Sequence, residues 1–157
     1  MSWDELNKSA EAENKGERDK WISVYIGLLA VLLAICAMGG SNATKDGTIK
    51  NIEASNNWSF FQAKNIRRTS YLLAADDLEM ILAANPGMPA EARKAMQDKI
   101  ASYRATVKLY ESDKEKMEGL DQLWDKGKKL EQERDVAMAK DPYFDYGQAL
   151  LQIAIVF

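Results

Sequence analysis

An uncharged apolar stretch near the amino end constrains this chain more than any other feature of its sequence. Residues 22–39 read ISVYIGLLAVLLAICAMG and contain no charged side chain across 18 positions. A helix of that length rises about 27 Å, close to the roughly 30 Å of a bilayer's hydrocarbon core. Trp21 and Tyr25 stand at one end, where amphipathic aromatic rings suit the membrane interface. We therefore predict a transmembrane helix over residues 21–40.

Two other interpretations of this stretch stay open in the sequence. A buried core helix would need apolar partners around it, and the rest of the chain offers few. A cleaved signal peptide would need a basic leading segment, whereas residues 1–20 carry six acidic side chains. Residues 33–36 resemble a lipoprotein cleavage box, but Ile35 stands where a small residue is required. We predict an uncleaved anchor behind a polar tail over residues 1–20, with Cys36 as a small apolar residue inside the span.

The carboxyl end is also apolar. Residues 149–157 read ALLQIAIVF, and nine residues are too few to span a bilayer. The preceding Tyr143, Phe144 and Tyr146 resemble an interfacial aromatic belt. We predict that residues 142–157 form an interfacial segment and the beginning of a second transmembrane helix. An amphipathic tail packed on its own domain is the alternative.

The polar middle of the chain, residues 41–141, has the pattern of two long helices joined by a tight turn. Its only prolines lie in the segment Asn85-Pro86-Gly87-Met88-Pro89. The residue before a proline is disfavoured in helical conformation, and glycine allows a positive φ. We predict a turn at residues 85–89 between arms of about 44 and 51 residues, which can lie antiparallel as a coiled-coil-like hairpin.

The returning arm carries a heptad seam, in which side chains recur at alternating spacings of three and four. With one polar insertion, the seam runs through Met96, Ile100, Tyr103, Val107, Tyr110, Lys114 and Met117. The apolar stripe continues after a slip of register through Leu120, Leu123, Trp124 and Leu130. The opposite face is charged, for example at Asp113 and Glu118, as is typical of a solvated face. We expect one helix along residues 90–140.

The first arm shows two apolar faces, which indicates contact with more than one neighbour. One face contains Ile52, Ile66, Leu73 and Met80, and the other contains Trp58, Phe61, Leu72 and Leu82. One neighbour is the returning arm. A two-helix hairpin buries little core by itself, so the second neighbour would be another copy or a partner subunit. Two copies would make a four-helix bundle.

Aromatic residues and arginines concentrate in one part of the first arm. Such residues are enriched at protein interfaces, and polar residues at a helix seam can fix register and partner number. The predicted partner surface consists of Trp58, Phe61, Gln62, Asn65, Arg67, Arg68 and Tyr71. Ordinary packing of these side chains against the returning arm is the alternative.

The composition argues against several kinds of chemistry. The chain has no His and one Cys, which removes most zinc, haem and Ser-His chemistry and any internal disulfide. A net charge of −3 gives no reason to expect nucleic acid. We expect a solvated patch rather than a metal site at Asp76, Asp77 and Glu79. The sequence shows no glycine-rich phosphate loop or nucleophile elbow, so we predict no catalytic, cofactor or metal site.

The distribution of basic residues favours one orientation in the membrane. Four of them, Lys8, Lys15, Arg18 and Lys20, precede the first span, whereas Lys45 and Lys50 follow it. This excess predicts that the amino-terminal side is cytoplasmic and the hairpin extracytoplasmic. The basic residues between positions 126 and 140 argue the other way, but long segments count less in this rule.

Residues 57–67, NWSFFQAKNIR, carry a family resemblance. They resemble the W-x-F/Y-F/Y-Q-A-K-x-I/L-K/R motif of a bacterial membrane family catalogued as domain of unknown function 4337. Residues 144–156 are similar to the start of that family's second span, and the resemblance covers nearly the whole chain. It implies a first span near the amino end, a helical middle and usually two closing spans. The family has no established activity to carry over.

These observations together predict an all-α, non-enzymatic protein anchored in the bacterial inner membrane, with the hairpin in the periplasm. We expect an accessory or scaffold subunit of a larger membrane assembly, with membrane lipid and protein or self-association as its contacts. An extracytoplasmic sensor flanked by two spans is the main alternative, although it would need a cytoplasmic output module. A tether between two layers would have a single anchor and a free distal end.

Overall fold

The protein is built from four helices in its computed structural model, which describes residues 3–157. Helix α1 spans Trp3–Ala84, α2 spans Ala90–Glu111, α3 spans Leu120–Met138 and α4 spans Asp141–Val156. The described residues contain no strand, which confirms the all-α prediction. Residues 3–20, expected from composition to be a polar tail, are the first part of α1.

The contacts within the chain divide it into two compact units. One unit, here called the terminal unit, contains Met1–Gly47 and Asp135–Phe157. The other, here called the hairpin unit, contains Thr48–Arg134. Helix α1 contributes residues to both units.

The hairpin unit reverses direction between α1 and α2. The backbone N–H of Met88 donates to the carbonyl of Asn85 at 3.2 Å. The Arg93 guanidinium donates to the carbonyls of Asn85 and Pro86 at 3.1 and 2.9 Å. These bonds satisfy carbonyls of the turn itself, which have no helical partners. Pro89 directly precedes α2, so its missing N–H removes no helical hydrogen bond.

The returning arm is interrupted, and the expectation of one helix over residues 90–140 is wrong. Helix α2 ends at Glu111 and α3 begins at Leu120. We call the intervening residues 112–119 the break. The heptad seam predicted along this arm therefore ends before the break, and the apolar stripe resumes within α3.

The side chain of Asp113 explains why the helix stops. Its carboxylate accepts hydrogen bonds from the N–H groups of Glu115 and Lys116 at 3.1 and 2.9 Å. Short polar side chains that bond nearby backbone groups in this way compete with helical hydrogen bonding. Met117 has a φ of 56°, which an α-helix cannot contain. Met117 and Lys114 are exposed rather than part of the seam, and Asp113, expected on a solvated face, is buried.

One face of α1 holds the returning helices in the hairpin unit. Its residues recur at alternating spacings of four and three, and each is buried or half-buried. We call this face the inner seam; it comprises Lys50, Ala54, Asn57, Phe61, Lys64, Arg68, Tyr71, Ala75, Leu78 and Leu82. The buried residues of α2 and α3 are Val107, Leu120, Leu123, Gly127 and Leu130. The core of the hairpin is the narrow layer between these two sets of side chains.

In the terminal unit, small residues of α1 lie against α4. A side chain at Gly39 would overlap the ring of Phe144, so glycine at this position allows the ring to pack on the helix backbone. Ala43 is buried one turn further along α1. The hydroxyl of Thr44 donates to the carboxylate of Asp141 at 3.0 Å. These contacts hold the beginning of α4 against α1.

The apolar stretch over residues 22–39 is largely exposed. Within the described residues, α1 is the one helix long and apolar enough to cross a membrane, and 6% of its most apolar 18-residue window is buried inside the chain. The apolar residues of α4 are exposed as well, with Leu150, Ile153 and Val156 between 56% and 79% accessible. The chain's own side chains therefore do not surround the stretch, as they would in a soluble core.

Candidate functional site

Three aromatic rings join α1 to α3 in the hairpin unit. The ring of Trp58 lies 5.6 Å from that of Phe61 and 5.2 Å from that of Trp124, with interplanar angles of 79°. The rings of Phe61 and Trp124 are 5.9 Å apart. Edge-to-face pairs of this kind contribute about 0.5–1.5 kcal/mol each beyond their burial. We call Trp58, Phe61 and Trp124 the aromatic cluster.

Glycine at position 127 makes room for the indole of Trp58. A Cβ atom on Gly127 would lie 2.7 Å from Cζ2 of Trp58, well inside van der Waals contact. The indole N–H of Trp58 donates to the carboxylate of Glu131 at 3.0 Å, one turn further along α3. The α3 backbone at Gly127 thus contacts one edge of the ring, and the hydrogen bond to Glu131 fixes the ring nitrogen.

The carboxylate that receives this bond is kept charged. The hydrogen bond from the ammonium group of Lys128 lowers the pKa of Glu131, and the bond from the indole of Trp58 lowers it further, while desolvation opposes both. The Lys128 ammonium also lies 5.7 Å from the Trp58 ring centre and 5.4 Å from that of Trp124. Charge and aromatic surface are therefore combined at the edge of the aromatic cluster.

Lys64 connects α1 to the break. Its ammonium group donates to the backbone carbonyl of Glu118, within the break. The same nitrogen lies 5.5 Å from the ring centre of Tyr110 and 5.6 Å from that of Phe60. Because Lys64 is only 9% exposed, the carbonyl and the two ring faces replace the water that a buried ammonium loses. The amide of Asn57, also buried, donates to the carbonyl of Leu123 at 2.7 Å.

On the α2 side of the break, an ion pair and a group of tyrosines continue the contact. The Arg68 guanidinium donates to the Glu111 carboxylate at 3.0 Å. The ring of Tyr71 lies 5.4 Å from that of Tyr103 and 5.9 Å from that of Tyr110. Side chains of α1 thus bind the last turn of α2, the break and the first turns of α3.

Most of the predicted partner surface is engaged within the chain. Four of its residues contact the returning helices: Trp58, Phe61, Arg68 and Tyr71. Asn65 is half-buried, while Gln62 and Arg67 are exposed. The assignment of these seven residues to a partner surface stays a prediction, and the contacts that are observed match the alternative of packing against the returning arm.

Sequence reasoning missed several residues that position this region. The sequence pattern does not single out Asn57 or Gly127, gives Lys64 only as part of the family motif, and predicts a solvated position for Asp113. Two signals were available in the sequence. A lysine at a heptad position among aromatic residues indicates a specific buried partner, and a glycine within an otherwise helical segment indicates a close approach.

Two grooves flank the break. The first has a volume of about 340 Å³ and is bordered by charges of both signs, from Lys64, Arg67, Lys116, Asp113 and Glu118. The second has a volume of about 710 Å³, and its lining includes the carboxamides of Asn56 and Asn57. Both are open clefts of mixed polarity, which suits contact with a surface or a small polar molecule.

The acidic group on α1 is an ion-pair site rather than a plain solvated patch. The Arg104 guanidinium of α2 bonds both Asp76 and Glu79, the latter at 3.1 Å. The hydrogen bond with Glu79 is the largest cause that raises the pKa of Arg104. Within the part of the chain that the structure describes, no cluster of three or more His, Cys, Asp or Glu residues could hold a metal ion.

Comparison with known proteins gives a family and no function. One family profile, described as a domain of unknown function (DUF4337), matches residues 18–157 of this chain. No curated protein and no solved structure shows significant similarity to it. The matched region contains the aromatic cluster, the break and the apolar stretch. Because the profile covers far more than half of the sequence, the chain belongs to the DUF4337 family.

Proposed function

We propose that this protein is a non-enzymatic, membrane-anchored helical hairpin that serves as an accessory or scaffold subunit of a larger membrane protein assembly. One observation carries the proposal: the most apolar segment of α1 is left almost wholly uncovered by the rest of the chain.

The exposed apolar surface needs a non-aqueous environment. Leu28, Val31 and Ile35 are between 54% and 59% accessible, and each is worth roughly 1.5–3 kcal/mol when fully buried. A bilayer removes this whole surface from water at once. Trp21 and Tyr25, 75% and 57% accessible, lie where an interfacial pair of aromatic residues would stand.

The packing of α4 supports its assignment as the beginning of a second span. In the terminal unit, Phe144 packs on Gly39, and a Cβ on Gly147 would lie 3.5 Å from the sulfur of Cys36. Small residues that let helix backbones approach closely are typical of helix pairs in membranes. The opposite side of α4 is apolar and exposed, as a lipid-facing side would be.

The chemistry of the hairpin supports a scaffold rather than an enzyme. Trp58 and Phe61 pack within the aromatic cluster, the Lys64 ammonium is bound to a backbone carbonyl, and the Arg68 guanidinium is paired. These groups hold helices together, and their hydrogen-bonding atoms face each other rather than an enclosed cavity. The exposed charged faces of α2 and α3 remain for contact with neighbouring proteins.

A sensor or input domain is a second candidate because of the groove beside the break. A small polar molecule bound next to Lys64 and Lys116 would contact α1, α2 and the break together. Binding in that groove would then change the contacts between α1 and the break. The scaffold function predicts protein partners instead.

Membrane extraction tests the anchor. We expect the wild-type protein to stay with the membrane after alkaline carbonate washing, and the double substitution Leu28→Arg with Val31→Arg to release it. Each arginine near a span centre costs about 2.5–3.5 kcal/mol of insertion free energy. Leu28→Ala with Val31→Ala is the matched control and should remain in the pellet. Release of the wild-type protein by carbonate would contradict the proposed membrane anchor.

Purification from native membranes in mild detergent separates the two candidate functions. A different protein recovered at fixed stoichiometry would support the scaffold. Recovery of this chain alone, with a melting temperature raised by a small polar molecule, would support the sensor. The Lys116→Ala variant should lose that ligand-induced shift if the groove is the binding site.

We propose that the hairpin is periplasmic, in a bacterial inner membrane, with the amino end in the cytoplasm. Gly87 lies in the exposed turn between α1 and α2, so Gly87→Cys in a Cys36→Ser background provides a label site. A membrane-impermeant maleimide should label this cysteine in intact spheroplasts as fully as in lysed ones. Labelling only after lysis would reverse the orientation.

A further inference from the structure

The hairpin unit has a second seam on α1 that no part of the described chain covers. Its residues recur at alternating spacings of three and four, and all are exposed. We call it the outer seam; it comprises Ile49, Ile52, Asn56, Ser59, Ala63, Ile66, Ser70, Leu73, Asp77 and Met80. Ile66 is 67% accessible and Met80 is 63% accessible, high values for large apolar side chains on an ordered helix.

The outer seam lies opposite the inner seam. The two sets are offset by two residues, which is about 200° around a helix with 3.6 residues per turn. The inner seam is occupied by α2 and α3 and carries the paired charges of Lys50, Lys64 and Arg68. From Ile49 to Leu73 the outer seam contains no charged residue. Most of the charge on this part of α1 is therefore directed toward its own hairpin.

We propose that the outer seam binds the outer seam of a second copy of this chain in a parallel, in-register coiled coil. This inference rests on the proposed membrane anchor, which fixes the direction of the pairing. Two copies anchored in one membrane enter their hairpins from the same side, so their α1 helices run in the same direction. Each seam residue then meets the same residue of the other copy.

The seam composition fits pairing of identical positions. Ile52, Ile66, Leu73 and Met80 occupy one heptad position, and they would stack as apolar layers. The alternate position carries small side chains at Ala63 and Ser70, which allow close approach. Asn56 also stands in the seam, where a polar residue can specify register and two-stranded pairing.

The available surface suits a small interface between copies that are already held in one membrane. Ile49 to Met80 spans about 47 Å of helix, and a contact strip about 10 Å wide gives roughly 470 Å² per copy. The total of roughly 940 Å² falls just below the 1,000 Å² or so expected of a stable interface, which places the contact among the weak or transient ones. Confinement of both copies to one membrane raises their effective concentration, as a tether does. Anchoring of both copies in one membrane is therefore what favours this small contact.

Cysteine cross-linking in native membranes tests the pairing. In a Cys36→Ser background, Ser59→Cys and Ser70→Cys place thiols on the outer seam, and Ser102→Cys places one on the exposed side of α2 as a matched control. A disulfide requires Cβ atoms about 3.8 Å apart, which identical seam positions reach in a parallel dimer. We expect the two seam variants to form at least about five times more covalent dimer than Ser102→Cys.

Two further variants give opposite outcomes. Ile66→Asp in the Ser70→Cys background should abolish the cross-link, because two carboxylates would meet in an apolar layer. Asp77→Leu should increase it, because it removes the one like-charge pair from the seam. Far-UV circular dichroism of Ile66→Asp should match the wild type, since Ile66 makes no contact in the hairpin core.

Three results would overturn the pairing. One is equal cross-linking of Ser102→Cys and the seam variants, which would indicate random collision. Another concerns membranes that contain both seam variants. A disulfide between position 59 of one copy and position 70 of the other, with none between identical positions, would indicate an antiparallel contact. The last is carbonate-resistant protein with no cross-link at all. Release of the protein by carbonate would instead contradict the membrane anchor. Failure of the pairing and failure of the anchor are therefore distinguishable.

Discussion

Replacing Trp58 by alanine is expected to lower the free energy of unfolding of the hairpin by about 3 kcal/mol, the lower end of the range for large aromatic residues in cores. The substitution removes two ring contacts, with Phe61 and Trp124, and the indole bond to Glu131. It also leaves a cavity over Gly127, because glycine has no side chain to fill it. Denaturant titration of the full chain in detergent, followed by circular dichroism, measures the change.

Ile66→Ala is the matched control for Trp58→Ala. Ile66 lies on the same helix but on the outer seam, where its side chain is 67% exposed. In detergent at a dilution that separates paired copies, its truncation should change the unfolding free energy by no more than about 0.5 kcal/mol. If the two variants destabilise the protein equally, Trp58 does not belong to the core that the structure assigns to it.

Substitution of Gly127 by leucine is expected to cost about 2–3 kcal/mol of unfolding free energy, the upper part of the range for overpacking. Leucine is a better helix former than glycine, so propensity alone would favour the variant by nearly 1 kcal/mol. The clash reverses that gain, because any Cβ at this position would meet the Trp58 ring and the Asn57 amide. Thermal denaturation in detergent would show a lower midpoint.

A double substitution identifies the clash as the cause. Trp58→Ala should relieve much of the cost of Gly127→Leu, because the new side chain would occupy the space that the indole leaves. The two free-energy changes would then be far from additive, as is expected for residues in contact. Gly16→Leu is the control, since a Cβ at Gly16 meets nothing within 4 Å. Additive effects at positions 58 and 127 would contradict the contact.

The turn of the hairpin was predictable from sequence and the break was not. The segment Asn85–Pro89 contains two prolines and a glycine, which stop a helix through covalent geometry alone. The break contains no proline, and it forms because the Asp113 carboxylate bonds the N–H groups of Glu115 and Lys116. In sequence, Asp113 is one charge among many on a polar helix, so its backbone bonds are not apparent.

The two apolar faces of α1 were also predictable, but not which of them faces the returning arm. Both follow a seven-residue period, so periodicity cannot distinguish them. The difference lies in the partner helix, where Gly127 admits the Trp58 indole and the Glu118 carbonyl accepts the Lys64 ammonium. Pairwise complementarity between distant segments decides the orientation, and a single sequence does not reveal it.

The break changes which face of the returning chain is turned toward α1. If the heptad spacing of Tyr103, Val107 and Tyr110 continued without interruption, positions 121 and 124 would face α1. The buried leucines are instead Leu120 and Leu123. An unbroken helix would rotate that face by about 100° away from α1. The break absorbs this rotation, so the buried residues of α2 and of α3 both face α1. The aromatic cluster, to which α3 contributes Trp124, therefore depends on a segment that contains none of its own residues.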